Sequence, residues 1–196
     1  MDSSELISAK LDELVNVLSN FVSVDKESII EAALLISEAY SNGNKVLICG
    51  NGGSAADSQH LAAEFVSSFS KDIKRKALSA IALTTDASVI TAFSNDYNFD
   101  GVFARQVEAH GKPGDILIVF TTSGSSKNCI NAVFQASKLS MKTIAFTRKS
   151  ALISKEVDIA IEVPSGDTQH IQECHLFSYH LLAEIVENSL FRKENV

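Results

Sequence analysis

Tryptophan is absent from this 196-residue chain, proline occurs twice and glycine nine times. Such scarcity of proline and glycine excludes collagen-like and low-complexity architectures. The three cysteines, Cys49, Cys129 and Cys174, are odd in number, widely scattered and without metal-type spacing. They read as buried structural thiols in a reducing compartment. Basic surface is short as well: 17 Lys and Arg face 24 Asp and Glu, a net charge of −7 with no basic stripe. Phosphate-backbone binding needs concentrated positive charge, so no nucleic acid partner is expected. The longest apolar runs are five or six residues, against about 20 for a bilayer span, so no membrane segment is expected either. The opening Met1-Asp2-Ser3-Ser4-Glu5 is acidic and lacks the basic flank and apolar core of a signal peptide. The expected location is cytoplasmic.

What the chain does have is core-forming material, 45% hydrophobic residues against 21% charged. Its length fits one domain, residues 1–196, with N-terminal helices over 1–42 and an α/β core with a C-terminal helix over 43–196. Ile7, Leu11, Leu14, Leu18 and Phe21 recur at helical intervals. Asp25 then offers an N-cap for a second helix through Ile29, Ala33, Ile36 and Tyr40, closed by Asn42-Gly43. Such a pair packs on the domain or serves oligomerisation; the pattern does not separate the two.

After Gly43 the texture changes. Short continuous apolar runs at Val46–Cys49, Ser79–Leu83, Ile116–Phe120, Thr143–Phe146 and Ile159–Val163 suit buried parallel strands. Helix-like segments fall at Ala55–Phe69, Ala87–Ser94, Phe99–His110, Lys127–Leu139 and Thr168–Phe191. This alternation predicts a doubly wound α/β sheet with helices on both faces.

Two loops follow predicted strands directly. Gly50-Asn51-Gly52-Gly53-Ser54 leads into one helix, and Thr121-Thr122-Ser123-Gly124-Ser125-Ser126, with five hydroxyls in six residues, leads into another. Glycines permit close backbone approach, helix N-termini attract anions, and hydroxyls add neutral donors for phosphate oxygens. Neither loop fits the dinucleotide or Walker A pattern. Ordinary strand-to-helix turns use the same residues, but two such loops together favour a sugar phosphate or similar small anion. His60 and Glu64, four apart, share a helix face and could reach one metal ion, or form a plain surface contact. The last helix carries Gln172, His175 and His180 among apolar residues; Gln172 and His180 lie about 80° apart around it.

Taken together the segments resemble a known family. Cys49-Gly-Asn-Gly-Gly-Ser-Ala-Ala-Asp-Ser-Gln-His60-Leu-Ala-Ala-Glu64 is similar to the first site segment of the phosphoheptose isomerases, enzymes built on the sugar-isomerase (SIS) domain. Ala82-Leu-Thr-Thr-Asp86, Asn95-Asp96-Tyr97, Thr122-Ser-Gly124 and Ile171-Gln-Glu-Cys-His175 match further family segments in order. The resemblance implies a five-stranded parallel sheet and a homotetramer with sites at subunit interfaces. It implies conversion of sedoheptulose 7-phosphate to D-glycero-D-manno-heptose 7-phosphate, the first step towards the ADP-heptose of lipopolysaccharide core. It also implies one zinc ion per subunit on His60, Glu64, Gln172 and His180. Substrate contacts fall on Asn51, Gly52, Gly53, Glu64, Asn95, Asp96, Thr121, Thr122, Ser123, Ser126 and Gln172, with Glu64 and His180 as the acid–base pair.

Departures from the family pattern are informative. Ser68 stands where the family often has arginine, the segment Ser70–Ala77 is longer than in several members and lacks a usual proline, and His170 replaces a common Arg or Lys. Guanidinium binds phosphate bidentately, so the loss raises the question whether Lys71, Lys74 or Arg75 compensates. Two other readings follow from related SIS proteins: a non-catalytic regulator that binds the replication initiator DnaA, and a sugar-phosphate sensor. Retention of both Glu64 and His180 favours the enzyme.

Overall fold

A computed structural model describes residues 2–192. Its elements are α1 (Ser3–Ser41), β1 (Val46–Gly50), α2 (Gly53–Val66), β2 (Ala80–Ala82), α3 (Ala87–Asp96), α4 (Val102–His110), β3 (Ile116–Thr121), α5 (Lys127–Lys138), β4 (Lys142–Arg148), β5 (Ile159–Val163) and α6 (Thr168–Phe191). The five strands form one parallel sheet in the order β2-β1-β3-β4-β5. The expected doubly wound α/β architecture is therefore present.

Apolar residues occur on both sides of each central strand because both faces are covered. Along β1, Val46 and Ile48 join the cluster under α1, α2 and α6, while Leu47 and Cys49 join the one under α4 and α5. β3 divides in the same way, Ile116, Ile118 and Phe120 to the first cluster and Leu117 and Val119 to the second. Each such fully buried large side chain contributes about 1.5–3 kcal/mol.

The N-terminal region differs from the expectation of two helices. It is one continuous helix, opened by a capping box in which Asp2 accepts from the Glu5 N–H and Glu5 accepts from the Asp2 N–H. Asp25 is no N-cap. Its carboxylate accepts from the Ser28 hydroxyl and from the backbone N–H of Glu162 on β5, the edge strand. Nothing between Phe21 and Ile29 breaks a helix, and the acidic side chain that looked like a local cap serves a donor far along the chain. The predicted stripe is only partly used: Phe21 is buried, whereas Ile7 and Leu11 are exposed.

Helix α6 lies over the sheet beside α1 and α2. Phe120 and Phe146 stack at 4.6 Å, and the fully buried Tyr179 meets Phe120 edge-on at 5.7 Å. The buried His175 ring packs 5.9 Å from Phe120 and 5.8 Å from Phe146. Neither ring nitrogen has a hydrogen-bond partner among the described residues. Burial pushes its pKa down to about 3, the nearby Thr147 backbone acting in the opposite sense without making a hydrogen bond of normal geometry. The imidazole is thus neutral in the folded chain at pH 7, whereas the unfolded chain takes up a proton near pH 6.5. Below that pH the unfolded state binds more protons, so stability falls as pH drops from about 6.5 towards 3. Asp57 works in the opposite sense: burial raises its carboxyl to about 6, which favours the folded state as pH falls through that value. A comparison with His175→Leu isolates the histidine. The wild type is expected to lose a few degrees more in Tm than the variant between pH 7.5 and 5.0; parallel Tm profiles would remove His175 as the cause.

Candidate active site

Strand order reverses between β1 and β3, and in open α/β sheets ligands bind at that reversal, beyond the carboxyl ends of the strands. Both predicted anion loops lie there. The β1 loop turns into α2 at Gly52-Gly53 and the β3 loop into α5 at Ser126. Asn51 and Asn128 join them across the crevice. Each side-chain amide donates to the carbonyl of the other, at 2.9 and 2.8 Å. Asn128 is buried and escaped the sequence reading; its place in the first turn of the helix after a hydroxyl-rich loop was the available signal. Within the β3 loop, Thr121 Oγ1 accepts from the Gly124 N–H at 3.2 Å and donates to Ser126 Oγ at 3.4 Å. Ser123 Oγ accepts from both the amide and the hydroxyl of Ser125. Gly124 has φ +66°, and a Cβ there would lie 2.2 Å from the Ala151 Cβ. The tight hydroxyl cradle requires glycine at that point.

The second half of the site is a junction of α2 and α6. Gln172 lies against the start of α2, so closely that a Cβ on Gly53 would meet its Nε2 at 2.5 Å. Further along both helices, the His60 and His180 rings are 5.0 Å apart. The two helices therefore run side by side in the same direction, which brings residues 120 positions apart into contact. His60 Nε2 is 3.1 Å from Glu64 Oε1. One ligand atom from each of His60, Glu64 and His180 can be chosen so that all lie within 4.8 Å of one another. On the other side of the imidazole, His60 Nδ1 is 2.8 Å from the Tyr179 hydroxyl. That bond orients the ring and leaves Nε2 facing Glu64, the arrangement usual for a metal-binding histidine.

The electrostatics suit proton transfer and cation binding. Burial lowers the His180 pKa, the nearby His60 adds to the effect and Glu64 opposes it, so the ring is neutral at pH 7 and able to accept a proton. Asp57, one turn before His60, has a carboxylate oxygen, Oδ2, with no hydrogen-bond partner among the described residues. Its charge, with that of Glu64, adds to burial in pushing the Tyr179 hydroxyl pKa up. Asp57 and Tyr179 were both missed in the sequence. Tyr179 sits beside a candidate ligand, but in an apolar stripe it is indistinguishable from a core residue.

The remaining predicted residues fall differently. Thr122, Ser123 and Ser126 lie on the β3 loop and are accessible, while Thr121 is buried beneath them. Asn95 and Asp96 end α3, exposed, with the Asn95 amide donating to the Asp96 carboxylate at 2.9 Å. That helix packs in the layer opposite α2 and α6, through Ile90 and Phe93. Of the three cations considered in place of the absent arginine, Arg75 is occupied: its guanidinium pairs with Glu187 and is almost closed to solvent. Lys71 and Lys74 are exposed. His170 is buried, its Nδ1 2.9 Å from Glu173 and its Nε2 3.4 Å from Glu13 of α1.

Comparison with known proteins gives a consistent result. The SIS domain model matches residues 11–148. A phosphoheptose isomerase of Thermodesulfovibrio yellowstonii is 47% identical over 193 residues, covering 97% of this chain and 94% of the relative. That of Aquifex aeolicus is 48% identical over 176 residues, covering 89% and 91%. Among solved structures, the phosphoheptose isomerase of Francisella tularensis superposes with a TM-score of 0.91 at 37% identity, covering 96% of this chain and all of that one. The Neisseria gonorrhoeae enzyme gives 0.90 at 37% identity, covering 95% and 100%. With the family model, the relatives and the superpositions in agreement with the fold, the chain belongs to the phosphoheptose isomerases of the SIS-domain family.

Proposed function

We propose that the chain isomerises sedoheptulose 7-phosphate to D-glycero-D-manno-heptose 7-phosphate, with Glu64 and His180 moving the protons. The observation that carries this reading is the convergence of α2 and α6, which places Glu64 and His180 in one cluster with His60. An aldose–ketose interconversion needs a base for the proton on the carbon beside the carbonyl and a second group to shift a proton between the two oxygens. Glu64 is the base. One of its oxygens faces His60, and the other is left for the substrate proton, to be returned to the neighbouring carbon. His180, neutral at pH 7, relays the hydroxyl proton. Since Glu64 and His180 are also candidate metal ligands, these proton transfers belong to the part of the cycle in which they do not hold an ion.

The donor set of the cluster, two imidazoles and a carboxylate, fits zinc, and His60 is pre-oriented by Tyr179. His60, Glu64 and His180 would hold the ion, with Gln172 as a fourth donor. Bound there, zinc would polarise the substrate carbonyl. The phosphate belongs on the β1 and β3 loops, where Asn51, Gly52, Gly53, Thr121, Thr122, Ser123 and Ser126 gather at two helix N-termini. Gln172, against Gly53, spans the two halves of the site.

A homotetramer with sites between subunits suits two features of the single chain. The stripe of Ile7, Leu11 and Val15 on α1 is exposed, a surface that a second copy would cover. Asn95 and Asp96, exposed at the end of α3, would contribute across such an interface. No helix among the described residues is long and apolar enough to cross a membrane. A cytoplasmic enzyme supplying heptose for lipopolysaccharide core accords with that and with the free, buried cysteines.

Two experiments test the assignment. Glu64→Gln should lose about 10²-fold or more in kcat while still binding sugar phosphate, because an amide cannot take up the proton; His180→Gln should lose both zinc and turnover. Elemental analysis beside steady-state kinetics, on protein folded by circular dichroism, reads both. Near-native turnover in Glu64→Gln removes Glu64 as the base, and full zinc with full activity in His180→Gln removes the two-helix site. Separately, Ser126→Ala should raise KM about two- to tenfold with little change in kcat, since it removes a hydrogen bond made before and during reaction. A fall in kcat at constant KM would contradict phosphate anchoring by this hydroxyl.

A further inference from the structure

The helix that carries His60 and Glu64 has no local means of ending. An α-helix leaves its last four carbonyls without intrahelical donors, and glycine in a left-handed conformation or a basic residue in the last turn commonly supplies the remedy. α2 has neither: Ser67, with φ −83°, follows it, and its last turn contains no basic side chain. The donors come instead from the segment beyond the helix: the Leu78 N–H meets the Phe65 carbonyl at 3.1 Å, and Arg75 meets two carbonyls. Arg75 Nη2 donates to the carbonyl of Glu64 at 2.8 Å and its Nη1 to that of Phe65 at 2.9 Å. The same guanidinium donates through Nε to Glu187 of α6. Glu187 also accepts from the backbone N–H groups of Phe69 and Ser70, at 3.1 and 2.7 Å, which fixes the chain leaving α2. The Phe191 ring lies 5.8 Å from the guanidinium carbon. Only 1% of the arginine side chain and 3% of the glutamate side chain are exposed.

Glu187 is seven residues beyond His180, two helical turns along nearly the same face. The clamp therefore fastens the peptide unit of the candidate base to the helix of its proposed proton-transfer partner. A buried ion pair is weak evidence for stability, because desolvation can cancel its attraction and apolar replacements are often neutral. Its geometric value is different. Misplacing a reacting group by about 1 Å can cost about 10²-fold in rate. We propose that Arg75 and Glu187 are positioning residues of the isomerase site, holding Glu64 and His180 at their working separation through the C-terminal end of α2. This rests on the assignment of Glu64 and His180 to one centre. It also gives the guanidinium a role unrelated to phosphate, which accounts for its turning away from the solvent in a chain that lacks an arginine at position 68.

Arg75→Lys is the discriminating variant. Lysine keeps the positive charge beside Glu187 but has no planar fork with which to reach two carbonyls as well. Glu187→Gln keeps one of the two acceptor oxygens that serve Phe69 and Ser70 and loses the charge pairing. At a temperature where both variants are folded by circular dichroism, kcat, KM, Tm and zinc affinity (by competition with a chelator) are measured beside wild type. Arg75→Lys should lose about 10- to 100-fold in kcat or zinc affinity, with KM for the heptose phosphate changed less than about threefold. Glu187→Gln should fall in the same direction by less. A lowered Tm with unchanged kcat and zinc affinity in both would make the clamp merely structural and overturn the proposal. Should Arg75→Lys not fold, Glu187→Gln decides alone, and wild-type kcat and affinity in it overturn the proposal. Glu64→Gln run alongside separates the two readings. If it stays active the base assignment fails whatever Arg75 does; if it is inactive while Arg75→Lys is fully active, only the clamp fails.

Discussion

The pairing of β1 with β3 is the constraint on which the rest of the site depends. Because the chain crosses from β1 outward to β2 and returns to place β3 on the other side, the connections leaving the two strands diverge to opposite faces. A crevice opens where they part. Two helix N-termini border it, and both turns must be short and rich in glycine or hydroxyl residues to bring those N-termini close. The strand register, Gly50 opposite Phe120, sets the two loops level with each other. The reciprocal amide pair of Asn51 and Asn128 is possible only at that level.

The cluster of His60, Glu64 and His180 depends on α6 returning to the face that α2 occupies. That return is driven by burial: Ile171, Cys174, Tyr179, Leu182, Ala183 and Val186 all enter the core cluster under α1 and α2. The polar residues of the site lie between these on the same helix. Tyr179 serves both purposes, its ring packed edge-on against Phe120 and its hydroxyl against His60 Nδ1. Packing of the core thereby sets the orientation of a candidate ligand, and little separates the residues that stabilise this layer from those that arrange its chemistry.

Much of this was legible in the sequence. The parallel strands announced themselves as continuous apolar runs because both faces are covered, and the loops announced themselves by glycine and hydroxyl density. The misreading at Asp25 has the same origin as those successes: acid before a periodic run is a genuine local signal, and only the distant Glu162 N–H decides otherwise. Boundaries shifted where the cause was also tertiary. α2 stops at Val66, short of Phe69, because the Phe69 and Ser70 amides are taken by Glu187, a partner more than 110 residues away. His60 and Glu64 were visible as a pair by their spacing. Their convergence with His180 required either the resemblance or the fold, since helix periodicity says nothing about which helix lies alongside.

Asn51 shows how a family resemblance and a structure can each be right about a different part of one residue. The resemblance marks position 51 as a substrate contact. In the folded chain its carboxamide is already engaged, exchanging hydrogen bonds with Asn128, whose carbonyl also accepts from the Cys129 N–H. An amide paired in this way is satisfied at both its acceptor and a donor, and breaking it would leave a buried partner unpaired at a cost of about 1–3 kcal/mol. A ligand gains more from a loop that is already rigid than from a side chain it must first detach. The Asn51 side chain thus holds the loop in shape, and on the proposed function the loop backbone around Gly52 and Gly53 would meet the ligand. An anion site on these loops would be built chiefly from helix termini and neutral hydroxyls, and the buried guanidinium of Arg75, paired with Glu187, would take no part in it.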